Sequence, residues 1–194
     1  QTHHPLGFVE QLYTFADRER SQQLGMHVIS ISYLALTQEL DEVGAAQPGW
    51  QDWYRYFPWE DWRDGMPGVI AERIAPALHA WSEAASDSVA RSARWQRASM
   101  TFGLDEHEWN EELVLQRYEL LFEAGVVPEA WGEGDEARAA QLLPGAAMSN
   151  DHRRILATGM ARLRAKIKYR PVVFELMPEE FSLLQLQQTV EALA

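Results

Sequence analysis

The fold of this chain is predicted chiefly from residues 151–194, which read DHRRILATGMARLRAKIKYRPVVFELMPEEFSLLQLQQTVEALA. Apolar residues recur in the first half of this segment at steps of three and four, which places them on one face of a helix. These residues are Ile155, Leu156, Met160, Leu163 and Ile167. Pro171 ends that helix, and the apolar residues 172–174 have the pattern of a short buried strand. Ser182 and Gln185 form a capping box for a second helix. The segment is therefore predicted to be a helix, a strand and a helix.

The first of these helices is strongly basic. Seven of the seventeen lysines and arginines in the chain belong to it or follow it directly, namely Arg153, Arg154, Arg162, Arg164, Lys166, Lys168 and Arg170. Two interpretations remain open. The helix either presents a solvated face that forms salt bridges with an acidic helix elsewhere, or it binds phosphate through Arg162, Arg164 and Lys166. In the second interpretation Tyr169 joins them, and the phosphate belongs to a nucleotide or to a DNA backbone.

Length, composition and net charge exclude several classes of protein. A chain of 194 residues, 46% of them hydrophobic, is long enough for one substantial core. It contains no run of eighteen apolar residues, so no membrane span is predicted. It has no cysteine, which excludes disulfides and thiolate metal sites and is compatible with a cytoplasmic location. The net charge of −12 argues against nucleic-acid binding by the whole surface, so the basic helix is a local exception. Because the chain starts at Gln1 without a signal peptide, we expect it to begin inside a longer gene product or after processing.

Two segments near the start of the chain alternate between apolar and polar residues. Residues 6–15 and 26–36 are predicted to be strands on this basis. The charged loop between them has room for a ligand contact. We take Tyr13, Asp17 and Arg18, at and beside this loop, as candidate ligand-binding residues.

The middle of the chain begins with an aromatic cluster, because seven aromatic residues occupy positions 50–62. Such a cluster either stacks an adenine or fills a core, and the core interpretation is favoured because the turn that follows needs an anchor. Helices are then predicted at 69–84, with a kink at Pro76, at 88–102 and at 105–125. The last of these lies in an acidic region, residues 105–140, with eleven Asp and Glu against two Arg.

Details of the second and third of these helices are also predicted. The residues expected to face inward in the second helix are Val89, Ala93 and Met100. Asp105 and Glu108 are predicted to form the capping box of the third helix. Gly125 is predicted to end it.

Three stretches of the chain match a known pattern. The first, RLRAKIKYRPVVFELMPEEFSLLQLQQTVEAL, lies at residues 162–193, and the second, GFVEQLYTFADRERSQQLGMHVISISYLAL, lies at 7–36. The first resembles the closing segment of the Nudix-related transcriptional regulators of NAD metabolism and of their nearest Nudix hydrolase relatives. The second resembles the strand pair EQLYTFGD…RVISVAYLAL that follows the Nudix box in the same families. The third, WYRYFPWEDWRDG at 53–65, resembles the middle of the alphaproteobacterial group of these regulators.

The resemblance implies an α+β fold. In that fold a partial Nudix-like sheet is formed by the two strands, the Trp-rich segment at 53–65 and the strand at 172–174. A large helical insertion precedes the closing helix–strand–helix. The corresponding domains are residues 1–66, 67–150 and 151–194. The resemblance also implies a ligand-sensing core that binds an NAD-related nucleotide such as ADP-ribose and forms a homodimer. DNA would be bound through a winged helix expected outside this chain.

Two alternative functions remain open. A catalytic Nudix box places glutamates on one helix face, where they ligate Mg²⁺. Residues 117–126, RYELLFEAGV, imitate its second half, but the acids are out of register and Phe122 stands at a ligand position, so we interpret this segment as an ordinary helix. No cofactor is therefore predicted for this chain, and Mg²⁺ is expected only if a Nudix box precedes Gln1. With such a box the protein would be a Nudix hydrolase of ADP-ribose or a similar nucleoside diphosphate, and the third possibility is a non-catalytic helical protein-interaction module.

Overall fold

The computed structural model describes four ranges of the chain, residues 7–15, 29–36, 51–131 and 142–193. Within these ranges the protein is of mixed α+β class, with five α-helices and one two-stranded antiparallel sheet. The α+β class predicted from the sequence is thus confirmed.

The chain divides into two compact units. The first unit comprises Gln1–Asp52 and Arg162–Ala194, and the second comprises Trp53–Ala161. These bounds differ from the three predicted domains, because the Trp-rich segment belongs to the helical unit. The helix that opens the closing segment contributes residues to both units.

The sheet of the first unit is a pair of strands, β1 (Val9–Phe15) and β2 (Ser30–Ala35). The pairing register shifts between Gln11 and Tyr13, so that one extra residue of β1, Leu12, forms an irregularity of the β-bulge type. Leu12 is buried. Both predicted strands are confirmed in the ranges that the structure describes.

The closing segment contains the helices α4 (His152–Tyr169) and α5 (Leu183–Leu193), as predicted. The capping box that begins α5 is confirmed as well. The backbone N–H of Gln185 donates to Oγ of Ser182 at 3.2 Å, and the Gln185 side chain accepts from the Ser182 backbone N–H at 2.8 Å. These two hydrogen bonds satisfy N–H groups that a helix start leaves open.

The strand predicted at 172–174 is wrong, because the structure has a 3₁₀-helix at Pro171–Leu176. Val172 and Val173 are buried, as expected, but they are buried in a helical turn. Proline favours the first position of a helix, since its φ is already helical and its missing N–H would have no partner there. A run of three apolar residues does not by itself distinguish a strand from a buried turn. The closing segment is therefore a helix, a 3₁₀-helix and a helix.

The Trp-rich segment is not a strand of the sheet either, and that prediction is also wrong. It forms two 3₁₀ turns, Trp53–Arg55 and Pro58–Glu60. Phe57 and Trp59 have no exposed surface and belong to the hydrophobic core of the second unit. The core-filling interpretation is therefore confirmed for the described residues of the aromatic cluster, and Trp50 lies outside them.

The remaining helices of the second unit begin with a π-helix, Ile70–Ile74, which continues into α1 (Ala75–Glu83). Pro76 lies in the first turn of α1, where its missing N–H is accommodated by the wider turn before it. The second helix, α2 (Ser88–Phe102), has the predicted bounds. Asp87 caps it by accepting a hydrogen bond from the Ala90 N–H at 2.8 Å.

The predicted inward face of α2 is wrong. Val89 and Met100 are 78% and 53% exposed, and Ala93 is exposed too. The buried residues of α2 are instead Ala98, Ser99, Thr101 and Phe102. The inward face combines small side chains such as Ala98 and Ser99 with the ring of Phe102, which belongs to the hydrophobic core.

The third helix, α3 (Val114–Glu123), starts later than predicted. A 3₁₀ turn, Glu111–Leu113, precedes it, and Asn110 caps that turn. The Asp105 capping box is wrong, because Asp105 accepts hydrogen bonds from Trp95 and Ser99 instead.

The end of α3 is as predicted. Gly125 has a φ of +71°, and the Val126 N–H donates to the Leu121 carbonyl at 3.1 Å. This arrangement is a Schellman motif, which places a residue of positive φ directly after the helix.

Candidate functional site

Two of the predicted ligand-binding cations meet one carboxylate of β1. Glu10 places Oε1 3.5 Å from Nη1 of Arg162 and Oε2 2.5 Å from Nζ of Lys166. The two cations are four residues apart in α4, so they lie on the same helix face. The side chains of Arg162, Lys166 and Glu10 are 40%, 14% and 26% exposed. We call these three residues the Glu10 cluster.

The aromatic ring of Phe8 also lies beside the Glu10 cluster. The ammonium of Lys166 lies 5.3 Å from the centroid of the Phe8 ring, within the range of a cation–π interaction. Phe8 and Glu10 are two residues apart in an extended segment, so their side chains point to the same side. The ring therefore helps to hold the ammonium in place independently of the carboxylate.

Arg164 lies apart from the Glu10 cluster. It is two residues from Arg162, a rotation of about 200° around an α-helix. Its Nε donates to the Leu193 carbonyl at 2.9 Å, and the residue is only 3% exposed. A cation at this position satisfies a carbonyl at the end of α5 and complements the helix dipole. The structure thus separates Arg164 from the other two cations of the predicted phosphate site.

The predicted tyrosines are both exposed to solvent. Tyr169 is the last residue of α4, three positions after Lys166, and is 73% exposed. Tyr13 lies in β1 beyond the irregularity at Leu12 and is 60% exposed. Tyr169 is therefore near the Glu10 cluster along the helix. The other two predicted residues, Asp17 and Arg18, lie outside the described residues.

The segment that imitates a Nudix box is the ordinary helix α3. Its acids pair with arginines: Glu119 lies 3.3 Å from Nε of Arg154, and Glu123 lies 2.6 Å from Nη1 of Arg97. Among the described residues no group of three or more potential ligands that could hold a metal ion is found. The pair between Arg154 and Glu119 joins the basic helix to the acidic one. This salt bridge was expected from the solvated-face interpretation, which is confirmed at this position.

One buried ion pair was missed by the sequence analysis. Glu60 and Arg117 pair through two hydrogen bonds of 2.6 and 2.9 Å. The sequence analysis interpreted Arg117 only as part of the segment, residues 117–126, that imitates a Nudix box. The spacing of the sequence nevertheless indicated that Arg117 is buried. It lies three residues after Val114 and four before Leu121, within the buried stripe of α3.

Arg153 was also assigned wrongly, to an exposed basic face. It is 1% exposed, pairs with Glu129 at 3.2 Å and donates a hydrogen bond to the Tyr56 carbonyl. Its guanidinium lies 5.3 to 5.6 Å from the centroids of three aromatic rings, those of Phe57, Trp59 and Tyr118.

Burial changes the pKa values of two side chains in this region, Arg153 and Tyr118. Desolvation lowers the pKa of Arg153, although the Glu129 carboxylate acts in the opposite direction. Desolvation also raises the pKa of Tyr118 well above its ordinary value near 10. Arg153 therefore anchors the start of α4 within the second unit and has no surface with which to bind a ligand.

Within the described residues, no helix has the length and hydropathy that crossing a membrane requires. None of the protein-family models matches this chain, and no curated protein matches it.

Proposed function

We propose that this chain is the ligand-sensing core of a Nudix-related transcriptional regulator of NAD metabolism, and that it binds an NAD-related nucleotide such as ADP-ribose. The observation that carries the proposal is which segments of the chain form the first unit. The two long blocks that resemble the family, residues 7–36 and 162–193, are separated in the chain by the entire second unit. They nevertheless belong to one compact unit. That these two blocks meet in one structural unit supports a shared fold over chance similarity, while the third resembling stretch, 53–65, lies in the second unit.

The Glu10 cluster is the proposed phosphate contact. A diphosphate is an acceptor-only group with delocalised negative charge, and guanidinium and ammonium groups are its usual partners in proteins. Arg162 and Lys166 supply one of each on a single helix face. The exposed ring of Tyr169, one turn further along α4, is suited to stack on the adenine of the same ligand.

The regulator proposal includes a homodimer. The outer face of the strand pair carries no charge; its residues are Val9, Gln11, Thr14, Ile31, Tyr33 and Ala35, all of them exposed. A two-fold interface brings the same surface of both subunits together, so an uncharged and largely apolar face avoids repulsion between two chains of net charge −12. DNA binding through a winged helix outside this chain and a cytoplasmic location are further parts of the proposal.

Isothermal titration of the chain with ADP-ribose and with NAD, with and without Mg²⁺, tests this function. Hydrolysis is followed in the same samples. Binding without turnover is the expected result. Turnover that depends on Mg²⁺ would favour a Nudix hydrolase instead, whereas no binding of either nucleotide would favour the helical interaction module.

A pair of variants then tests the proposed contact. Lys166→Gln is expected to weaken ADP-ribose binding by on the order of tenfold, because it removes a charged partner of the phosphate. Arg97→Gln is the matched control. It removes the same charge from a half-exposed ion pair with Glu123, in the second unit. Equal affinities of the two variants would contradict the assignment of the Glu10 cluster.

A further inference from the structure

Glu10 supplies a single negative charge to two cations. Each of its carboxylate oxygens faces a different one, Oε1 towards Arg162 at 3.5 Å and Oε2 towards Lys166 at 2.5 Å. The Glu10 cluster therefore retains one net positive charge. The arrangement is the one that two oxygens of a phosphate group would adopt with the same two donors.

The exposure of these groups is graded. Arg162 is 40% exposed and Glu10 is 26% exposed, so an anion in solvent has access to both. Lys166 is the most buried at 14%, and its ammonium also lies against the Phe8 ring. If the Glu10 side chain rotates away, Lys166 keeps one of its contacts and its position.

We propose that Glu10 is an internal competitor for this site and selects ligands that carry at least two negative charges. This inference rests on the proposed function, because it assigns a role within the same cationic cluster. A monoanion that displaces Glu10 only exchanges one unit of charge for another. The diphosphate of a nucleotide brings two, which neutralise Arg162 and Lys166 together. The net electrostatic gain is therefore available to diphosphates and not to singly charged anions.

The same exchange gives the ligand a structural effect within the first unit. Glu10 belongs to β1 and the two cations belong to α4, so the carboxylate links a strand to a helix. A diphosphate that takes both cations breaks that link. Ligand binding is thereby coupled to the attachment of β1 at this point.

The test compares the affinity of inorganic pyrophosphate and of ADP-ribose for the wild-type chain and for Glu10→Gln. The amide has the shape of the carboxylate but not its charge, so Glu10→Gln is expected to bind both probes on the order of tenfold more tightly. Adenosine, which has no phosphate, is expected to bind the two proteins equally. Glu123→Gln is the matched control, since it changes the net charge by the same amount in the half-exposed pair with Arg97. It is expected to leave all affinities unchanged.

The outcomes separate this inference from the proposed function. A wild-type chain that binds ADP-ribose, with a Glu10→Gln variant that binds it equally or more weakly, overturns the competitor role and leaves the nucleotide-sensing proposal intact. Failure of both proteins to bind either probe overturns the proposed function and this inference with it.

A second measurement uses the wild-type chain alone, because Glu10→Gln also removes an ion pair from β1. The carboxyl ¹³C resonance of Glu10 is followed by NMR during titration with pyrophosphate. Displacement moves it towards the position of a free, solvated glutamate. A resonance that stays unchanged at saturation overturns the competitor role.

Discussion

Glu60 and Arg117 form an ion pair in which neither side chain has any exposed surface. Arg117 also donates to the carbonyls of Thr101 and Asn110, at 3.2 and 2.9 Å, and its guanidinium lies 3.7 Å from the centroid of the Trp109 ring. The pair therefore ties the second 3₁₀ turn of the Trp-rich segment to α3 and to the backbone around it. Such a network is stable only when its donors and acceptors are satisfied.

Removal of one partner is expected to destabilise the protein strongly. Glu60→Gln leaves Arg117 as a buried charge without its counterion, a change that typically costs about 3–5 kcal/mol. Urea denaturation followed by tryptophan fluorescence measures the loss of unfolding free energy. Glu123→Gln, in an exposed pair, is expected to change it by less than about 1 kcal/mol. Similar losses in the two variants would contradict the role of the buried pair.

Replacement of both partners tests whether they act as a unit. The double variant Glu60→Leu, Arg117→Met removes both charges from an apolar environment. It is expected to lose less stability than the sum of the two single variants, because neither charge is left buried alone. Strict additivity in the urea measurements would show that the two residues stabilise the fold independently.

Arg164 is expected to stabilise the fold without contributing to ligand binding. Arg164→Gln removes the charged hydrogen bond to the Leu193 carbonyl, a loss of about 1–3 kcal/mol. The thermal midpoint should fall, while the affinity for pyrophosphate, measured by titration below that midpoint, should remain at the wild-type value. A loss of affinity as large as that of Lys166→Gln would contradict this prediction and show that Arg164 takes part in phosphate binding.

Stability is expected to fall at alkaline pH because of Tyr118. Burial raises its pKa above the ordinary value near 10, so the folded state keeps the phenol protonated at a pH where the unfolded chain releases the proton. The contribution is fully present below pH 10 and is lost as the pH rises beyond it. Urea midpoints measured at pH 9 and at pH 11 should differ more for the wild type than for Tyr118→Phe. An equal pH dependence in the two proteins would exclude Tyr118 as the cause.

Two glycines with positive φ offer a matched comparison. Gly125, after α3, has a φ of +71°, and a Cβ there would lie 2.6 Å from Cζ2 of Trp131. Gly65 has a φ of +91°, with no atom within 4 Å of the corresponding Cβ. Each alanine variant bears a backbone cost of about 1–2 kcal/mol. Gly125→Ala should lose more stability than Gly65→Ala in thermal unfolding, because only it also has to displace a ring.

Several features specified by neighbouring residues were predicted correctly from the sequence, although the Asp105 capping box was not, because Asp105 accepts hydrogen bonds from Trp95 and Ser99. The capping box of α5 depends on Ser182 and Gln185, which are three residues apart, and the end of α3 depends on the glycine directly after it. The predicted bounds of α2 coincide with a capping aspartate, Asp87, and a left-handed glycine, Gly103, on either side of it. These signals act within one or two turns of the chain, so they do not depend on the packing of distant segments.

Features decided by distant residues were not predicted. Val172 and Val173 were correctly expected to be buried, but apolar character alone did not separate a strand from a 3₁₀ turn. Val89 is apolar and exposed, because the packing of α2 turned a different face inward, one that includes Ala98, Ser99 and Phe102. Arg117 was interpreted only as part of the segment that imitates a Nudix box, and only a carboxylate 57 positions away in the chain explains its burial.

The candidate site shows the same division. Sequence alone determined that α4 is a basic helix and that Arg162 and Lys166 lie on one face of it, since that follows from the geometry of a helix. Only the tertiary structure decided that Glu10 of β1 faces both cations and that Arg164 turns away to the end of α5. The physical reason is that a helical repeat sets the angle between side chains, whereas the partner that each side chain meets depends on which segments the fold brings together.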